Sequence, residues 1–387
     1  NCEVIEIKSW QVEQAITMFN SLNSDGLPLY DSDIISAKLY AEAEKRGKEK
    51  EFADLWKQLN NCINELESTR IADINSILMQ YMYYIRTVNK ETISETGAIN
   101  VTTPGLRRYF TEVNKMPITD PIGMCSDMVK LVKVWKKVSE YPQMKVLLKF
   151  NENTKLFLAS YFFRFDEDNI TEELVEPILE CLLRLFSLLE LVDVGYSSKY
   201  FKTFLFGAEV KLVSKSTTVD AITQDFNEHI RSNWDKETIW AALHDYDGNV
   251  LVYLNEFLFA KEKGLSFTLG TKYDIEHIMP YSGNNLQEIR KDAEIDSEEE
   301  FYGVVNKLGN KILLEEKINR AIGNEWFRTK VSTKLENKTG YIDSKYPIAR
   351  ALVSKYQSAN KPYWKKDDIM STTDKASDRI VSFIFGE

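Results

Sequence analysis

The chain has 387 residues, a formal net charge of −10, 43% hydrophobic and 28% charged residues, 9 prolines and 4 cysteines. That length and balance predict two or three globular domains and argue against disorder, because the apolar surface suffices to offset the entropy of ordering the chain. No uninterrupted apolar run is long enough for a membrane span, and the N-terminus shows no basic and apolar leader pattern; Cys2, Cys62, Cys125 and Cys181 are scattered without a C-x-x-C pair, so free thiols in a reducing cytoplasm are expected.

Apolar residues recur at helical spacing through Ser32 to Arg46, Phe52 to Leu66, Ile71 to Val88 and Thr119 to Val138. Gly47, the segments 97–103 and 117–121, and the Asp166 to Asn169 turn interrupt the pattern. A mostly α-helical body without an internal repeat follows. Lys130, Lys133, Lys136 and Lys137 place most of their charge on one side of a helix that also holds Trp135; a solvated face is the simpler reading and a phosphate-tracking face the alternative. Leu156 to Phe165 reads as core, since only Arg164 interleaves its aromatic residues. Leu174 to Val192 is apolar but broken by Glu176, Glu180, Arg184 and Glu190, as in a buried or partner-facing helix.

After Gly264 the pattern changes. Leu265 to Leu269, Lys272 to His277 and Lys311 to Leu314 have the length and composition of short strands, and helical spacing resumes over Glu315 to Ile322. The fold class expected is therefore mainly α, a helical body followed by a small ββα module and C-terminal helices, with boundaries near residues 50 and 260. The negative total charge hides a basic stretch, because Lys and Arg outnumber Asp and Glu from Lys307 to Lys366, directly after the acidic run Asp292 to Glu300. Phosphate contacts require such local cations, so a nucleic-acid partner remains compatible with an acidic chain.

Histidine is scarce: His229, His244 and His277 are all the chain contains. His229 lies in an ordinary helical stretch and His244 just before the Asp247-Gly248 turn, neither within a motif. His277 instead ends a strand-like run and sits between Glu276 and Ile278-Met279-Pro280. Hydrolysis of a phosphodiester needs a base for the attacking water and a cation for the charge that develops on phosphate and leaving oxygen. Neutral imidazole, with an ordinary pKa of about 6.5, suits the first role. Carboxylate and amide oxygens suit a hard ion such as Mg²⁺ in the second, and Glu276, Asn310 and Asn319 carry such oxygens. Asn310 opens the second expected strand and Asn319 lies on the helix after it. Neighbouring strand residues face opposite ways, so Glu276 and His277 share an ion only if the strand ends or bulges there. Asp274, on the face of Glu276, is the alternative ligand or a structural residue. Arg320, Arg328 and Lys330 are candidate clamps for DNA phosphate, each equally readable as a surface charge.

The run Glu276-His277-Ile278-Met279-Pro280 with the two asparagines resembles the HNH signature of ββα-metal nucleases. Together with Leu308 to Leu314 and Asn324 to Lys330 it resembles the C-terminal half of the GmrSD-type modification-dependent restriction endonucleases. Ala15 to Leu29 resembles the F-x-x-L-N-x-x-G-x-x-L pattern near the end of that family's ParB-like, nucleotide-dependent half. The D-G-Q-Q-R motif of that half is absent, as is a Walker A loop, so a C-terminal part of a longer protein is expected.

The resemblance implies a phage-defence endonuclease acting on DNA, with a modified substrate expected. It implies His277 as general base, Asn319 with Glu276 or Asp274 at a Mg²⁺ or Mn²⁺ ion, and Asn310 positioning the histidine or the hairpin. NTP use is expected only through the N-terminal half. Residues 1–50 would end the ParB-like half, 51–260 form a helical linking body and 261–387 the nuclease domain, in a cytoplasmic protein without membrane contact and open to homo-oligomerisation. A catalytically silent helical module that binds DNA or a partner and keeps the ββα unit as scaffold is the alternative.

Overall fold

A computed structural model describes residues 30–66, 71, 73–151, 153–192, 199–214, 217–332, 339–358 and 361–387, with isolated positions before them. Apart from Thr17 and Met18, the Ala15 to Leu29 segment lies outside the described residues. The described fold is mainly helical, with one two-stranded antiparallel sheet. Two compact units are interleaved along the chain, one from Asn1–Glu140, Glu152–Leu174 and Lys199–Thr218, the other from Tyr141–Asn151, Val175–Ser198 and Val219–Glu387. Among the described residues no helix is long and apolar enough to cross a membrane.

The first unit is a helical assembly whose helices start where the sequence supplies caps. Asp73 accepts from the backbone N–H of Asn75 and Ser76 at the start of Ile74–Val88, and Asp120 accepts from Gly123 at the start of Pro121–Val138. Trp135 is fully buried, and its indole N–H donates to Gln80 Oε1 at 2.7 Å, which satisfies two polar groups inside the core. Lys130 pairs with Asp166, Lys136 with Glu65, and Lys137 donates to the Glu167 carbonyl. Those contacts are exposed, as on a solvated face. Phe157, Leu158, Tyr161 and Phe162 are buried, as the core reading of that segment requires.

In the second unit, α1 (Lys236–Asp245) and α2 (Val250–Glu262) precede β1 (Tyr273–His277), and β2 (Lys311–Glu315) runs directly into α5 (Glu316–Ile322). The strands pair antiparallel, Tyr273 opposite Glu315 through His277 opposite Lys311. The insertion between them carries α3 (Leu286–Asp292) and α4 (Glu298–Val305), which bury Ile289, Phe301, Val304 and Val305. Ser297 caps α4 by accepting from Glu300 N–H. Then come α6 (Phe327–Ser332), α7 (Pro347–Ser358) and α8 (Lys366–Phe385).

Leu265 to Leu269, expected as a strand, pairs with none among the described residues; Phe267 and Leu269 are nevertheless buried, Phe267 edge-on to Phe257 at 5.8 Å. Its apolar residues anchor the approach to β1 through side-chain packing rather than through a ladder. The core under the hairpin joins Ile278, Ile312, Leu314, Ile318 and Ile322 to Phe327, Tyr356 and Trp364. Each such side chain contributes roughly 1.5–3 kcal/mol when fully buried, so the hairpin end is fixed chiefly by this packing.

Candidate active site

Alternation along β1 decides what each candidate residue meets. Asp274 and Glu276 stand opposite Leu314 and Ile312, both core residues, while His277 stands opposite Lys311 at the end of the strand. Glu276 is 6% exposed, and its Oε1 accepts from Lys330 Nζ at 2.5 Å and from the Tyr341 hydroxyl at 3.2 Å. Lys330 is fully buried and also donates to the carbonyls of His277 at 2.9 Å and Ile278 at 3.3 Å. Burial raises the Glu276 pKa and the Lys330 charge opposes that rise. The Tyr341 hydroxyl is pushed well above its ordinary range by burial and by the carboxylate beside it. Glu276 and Lys330, expected at a metal ion and at a DNA phosphate, thus meet one another inside the domain and brace the exit of β1.

His277 is half-buried, with Nε2 3.1 Å from Asn306 Oδ1, so the ring N–H donates to that amide oxygen. Nδ1 makes no hydrogen bond among the described residues. Burial lowers the His277 pKa, the charges of Lys311 and Lys330 lower it further, and the bond to Asn306 acts in the opposite direction. The ring is therefore neutral down to a lower pH than an ordinary histidine. Asn306, the residue after α4, is the member of the site that sequence reasoning missed; its identity alone carries no spacing signal that would have singled it out.

Asn310 is fully buried and does not touch the imidazole. Its amide N–H₂ donates to the carbonyls of Met279 at 3.0 Å and Val305 at 2.8 Å. Its Oδ1 accepts from Met279 N–H at 2.8 Å and Trp364 Nε1 at 3.1 Å. With the side chain's capacity filled, Asn310 fastens the Ile278-Met279-Pro280 exit to the second strand. Gly309 is required by close approach, since a Cβ there would lie 2.3 Å from the Ile369 carbonyl oxygen and 2.4 Å from Thr373 N on α8.

Asn319, on the first turns of α5, donates from Nδ2 to Asp274 Oδ2 at 3.0 Å. His277, Glu276, Tyr281, Asn319 and Arg320 line one cleft of about 360 Å³ at the end of the hairpin. Arg320 is 76% exposed and pairs with Glu316 on the same helix. Arg328 lies outside that lining, exposed, with its guanidinium 5.9 Å from the Trp326 ring centre. A larger cavity of about 900 Å³ in the same unit contains no histidine, and several of its charges already pair, Arg184 with Glu180 and Arg379 with Glu262. His244 stacks on Trp240 and His229 lies edge-on to Trp234, both away from the cleft.

Among the described residues no three His, Cys, Asp or Glu side chains gather as a ready-made metal cage. The oxygen donors closest in character to what a hard divalent ion needs are the Asp274 carboxylate and the Asn319 amide, already held together by their hydrogen bond. Mg²⁺ uses one or two carboxylates and retains several waters, so this donor set fits it in kind. Residues 217–376 match the family model described as GmrSD restriction endonucleases, C-terminal domain. No curated protein matches the chain.

Proposed function

We propose that the chain, whose residues 217–376 match the GmrSD restriction endonuclease C-terminal domain, is a metal-dependent DNA endonuclease whose general base is His277. The observation that carries this reading is the convergence of His277 and Asn319 on one cleft at the exit of a ββα hairpin. Asn306 accepts from Nε2–H and holds that tautomer, which leaves the Nδ1 lone pair for the proton of the attacking water. The depressed pKa keeps this lone pair available at neutral pH.

In this reading Asp274 and Asn319 hold Mg²⁺ or Mn²⁺. When bound, the ion offsets the charge that develops on the phosphate and the leaving oxygen. Arg320, exposed at the cleft, contacts a non-bridging phosphate oxygen, and Arg328 a more distant backbone phosphate. Glu276, Lys330 and Asn310 act on the reaction through position alone, by fixing the chain on either side of His277. Restriction of phage DNA carrying a base or backbone modification is the biological role that the family supports.

The test is cleavage of supercoiled plasmid DNA with Mg²⁺ or Mn²⁺ present. Loss of a general base costs roughly 10² to 10⁴ in rate, so His277→Ala is expected to fall by that factor while keeping the wild-type fold. Divalent-independent, salt-sensitive DNA binding without cleavage of plain or modified substrate would instead identify a silent binding module.

A further inference from the structure

Tyr281 lines the cleft and Tyr302 adjoins it from outside the lining, an aromatic pair that proton transfer does not use. Tyr281 lies just past the exit of β1 and Tyr302 on α4, 47% and 55% exposed. Among the described residues of 219–387, the other exposed large hydrophobic side chains are Leu265 and Ile342, both less exposed and neither aromatic. The ring centres of His277 and Tyr281 are 6.1 Å apart, and those of Tyr281 and Tyr302 again 6.1 Å. Interplanar angles of 47° and 57° mean that the rings do not stack upon one another, and their exposure leaves ring surface available to a ligand. Neither tyrosine hydroxyl makes a hydrogen bond among the described residues. A single exposed tyrosine needs no explanation; a file of rings leading away from the base histidine does.

Charge sets the orientation of what binds there. α4 begins with Glu298, Glu299 and Glu300. Although Glu300 pairs with Lys366 and Glu298 approaches Arg290, Glu299 forms no ion pair among the described residues and leaves that end acidic, whereas α5 brings the Arg320 guanidinium to the cleft. A nucleotide strand is therefore accommodated with its phosphate toward Arg320 and a base toward the tyrosines. Base–aromatic stacking needs no particular base, because every base has a π-face. We infer that Tyr281 and Tyr302 form a nucleobase-stacking platform, and that the nucleotide beside the scissile phosphate is bound unpaired, with its base out of the helix stack. The position of the scissile phosphate rests on the nuclease reading above; the stacking itself does not.

Fluorescence anisotropy with a labelled oligo-dT single strand, measured on the His277→Ala protein, tests the platform without turnover. Tyr281→Ala and Tyr302→Ala are each expected to weaken binding about 5- to 150-fold. Tyr→Phe at the same positions restores it, and Tyr30→Ala, at an exposed tyrosine of the other unit, changes nothing. Unchanged affinity in both alanine variants would overturn the platform, as would no restoration by Phe or an equal loss in Tyr30→Ala. His277-dependent plasmid cleavage alongside tyrosine-independent binding would remove the platform and leave the nuclease. Tyrosine-dependent binding without any cleavage would do the reverse.

Discussion

Lys330→Met removes an ammonium that has no exposure to water and three acceptors, Glu276 Oε1 at 2.5 Å, the His277 carbonyl at 2.9 Å and the Ile278 carbonyl at 3.3 Å. Breaking a buried pair from one side leaves an uncompensated charge and costs roughly 3–5 kcal/mol, whereas replacing both partners by apolar groups of similar volume is often neutral. Domains are stable by about 5–15 kcal/mol, so the single variant should retain only part of its margin. Urea unfolding followed by tryptophan fluorescence should show that loss, with Trp364 reporting from the core beside Asn310. Glu276→Leu combined with Lys330→Met should recover most of it. A loss below about 1 kcal/mol in the single variant, or a double variant no more stable than the single, would refute a coupled buried pair. Glu276 would then be free for the metal-ligand role expected from sequence.

Two further outcomes follow from groups that surround the hairpin. Asn306→Leu removes the acceptor that orients the imidazole, at a cost of roughly 2- to 10-fold in cleavage rate for one lost hydrogen bond; because that bond raises the His277 pKa, the acid limb of the pH–rate profile should also move to lower pH. In wild type that limb should already lie below the ordinary histidine value of about 6.5. Glu256, fully buried on α2 and accepting from Ile348 N–H at 2.8 Å, has its carboxyl pushed up to about 8 by burial. The folded state therefore binds a proton that the unfolded state releases, so this stability is complete below the unfolded pKa of about 4.3 and is lost as pH rises toward and through 8. Glu256→Gln should flatten that fall in urea unfolding series; an unchanged slope would contradict it.

The strand–strand–helix order was legible because short β-branched and apolar runs bracket a distinct motif, and the histidine at the end of β1 stands where that reading put it. The two helices within the insertion were not, since seven- and eight-residue segments with acidic starts give little periodicity to read. Leu265 to Leu269 has strand composition but lacks a partner strand among the described residues, and composition alone does not supply one. Glu276 shows where parity helps and where it stops. Alternation separates it from His277, but its burial against Lys330 comes from a residue 54 positions away, and a lysine is seldom buried unless paired. Asn319 and Asp274, 45 positions apart, likewise meet only through the packing of α5 on the hairpin.

The central claim is that His277 takes the proton from water in a divalent-dependent cleavage of DNA. Supercoiled plasmid DNA, plain or base-modified, incubated with Mg²⁺ and with purified wild type or His277→Ala of matched thermal stability, measures this directly. The account predicts nicked or linear product from the wild type, none when the ion is chelated, and a rate lower by roughly 10² to 10⁴ in the variant. Equal cleavage by a folded His277→Ala protein would contradict it.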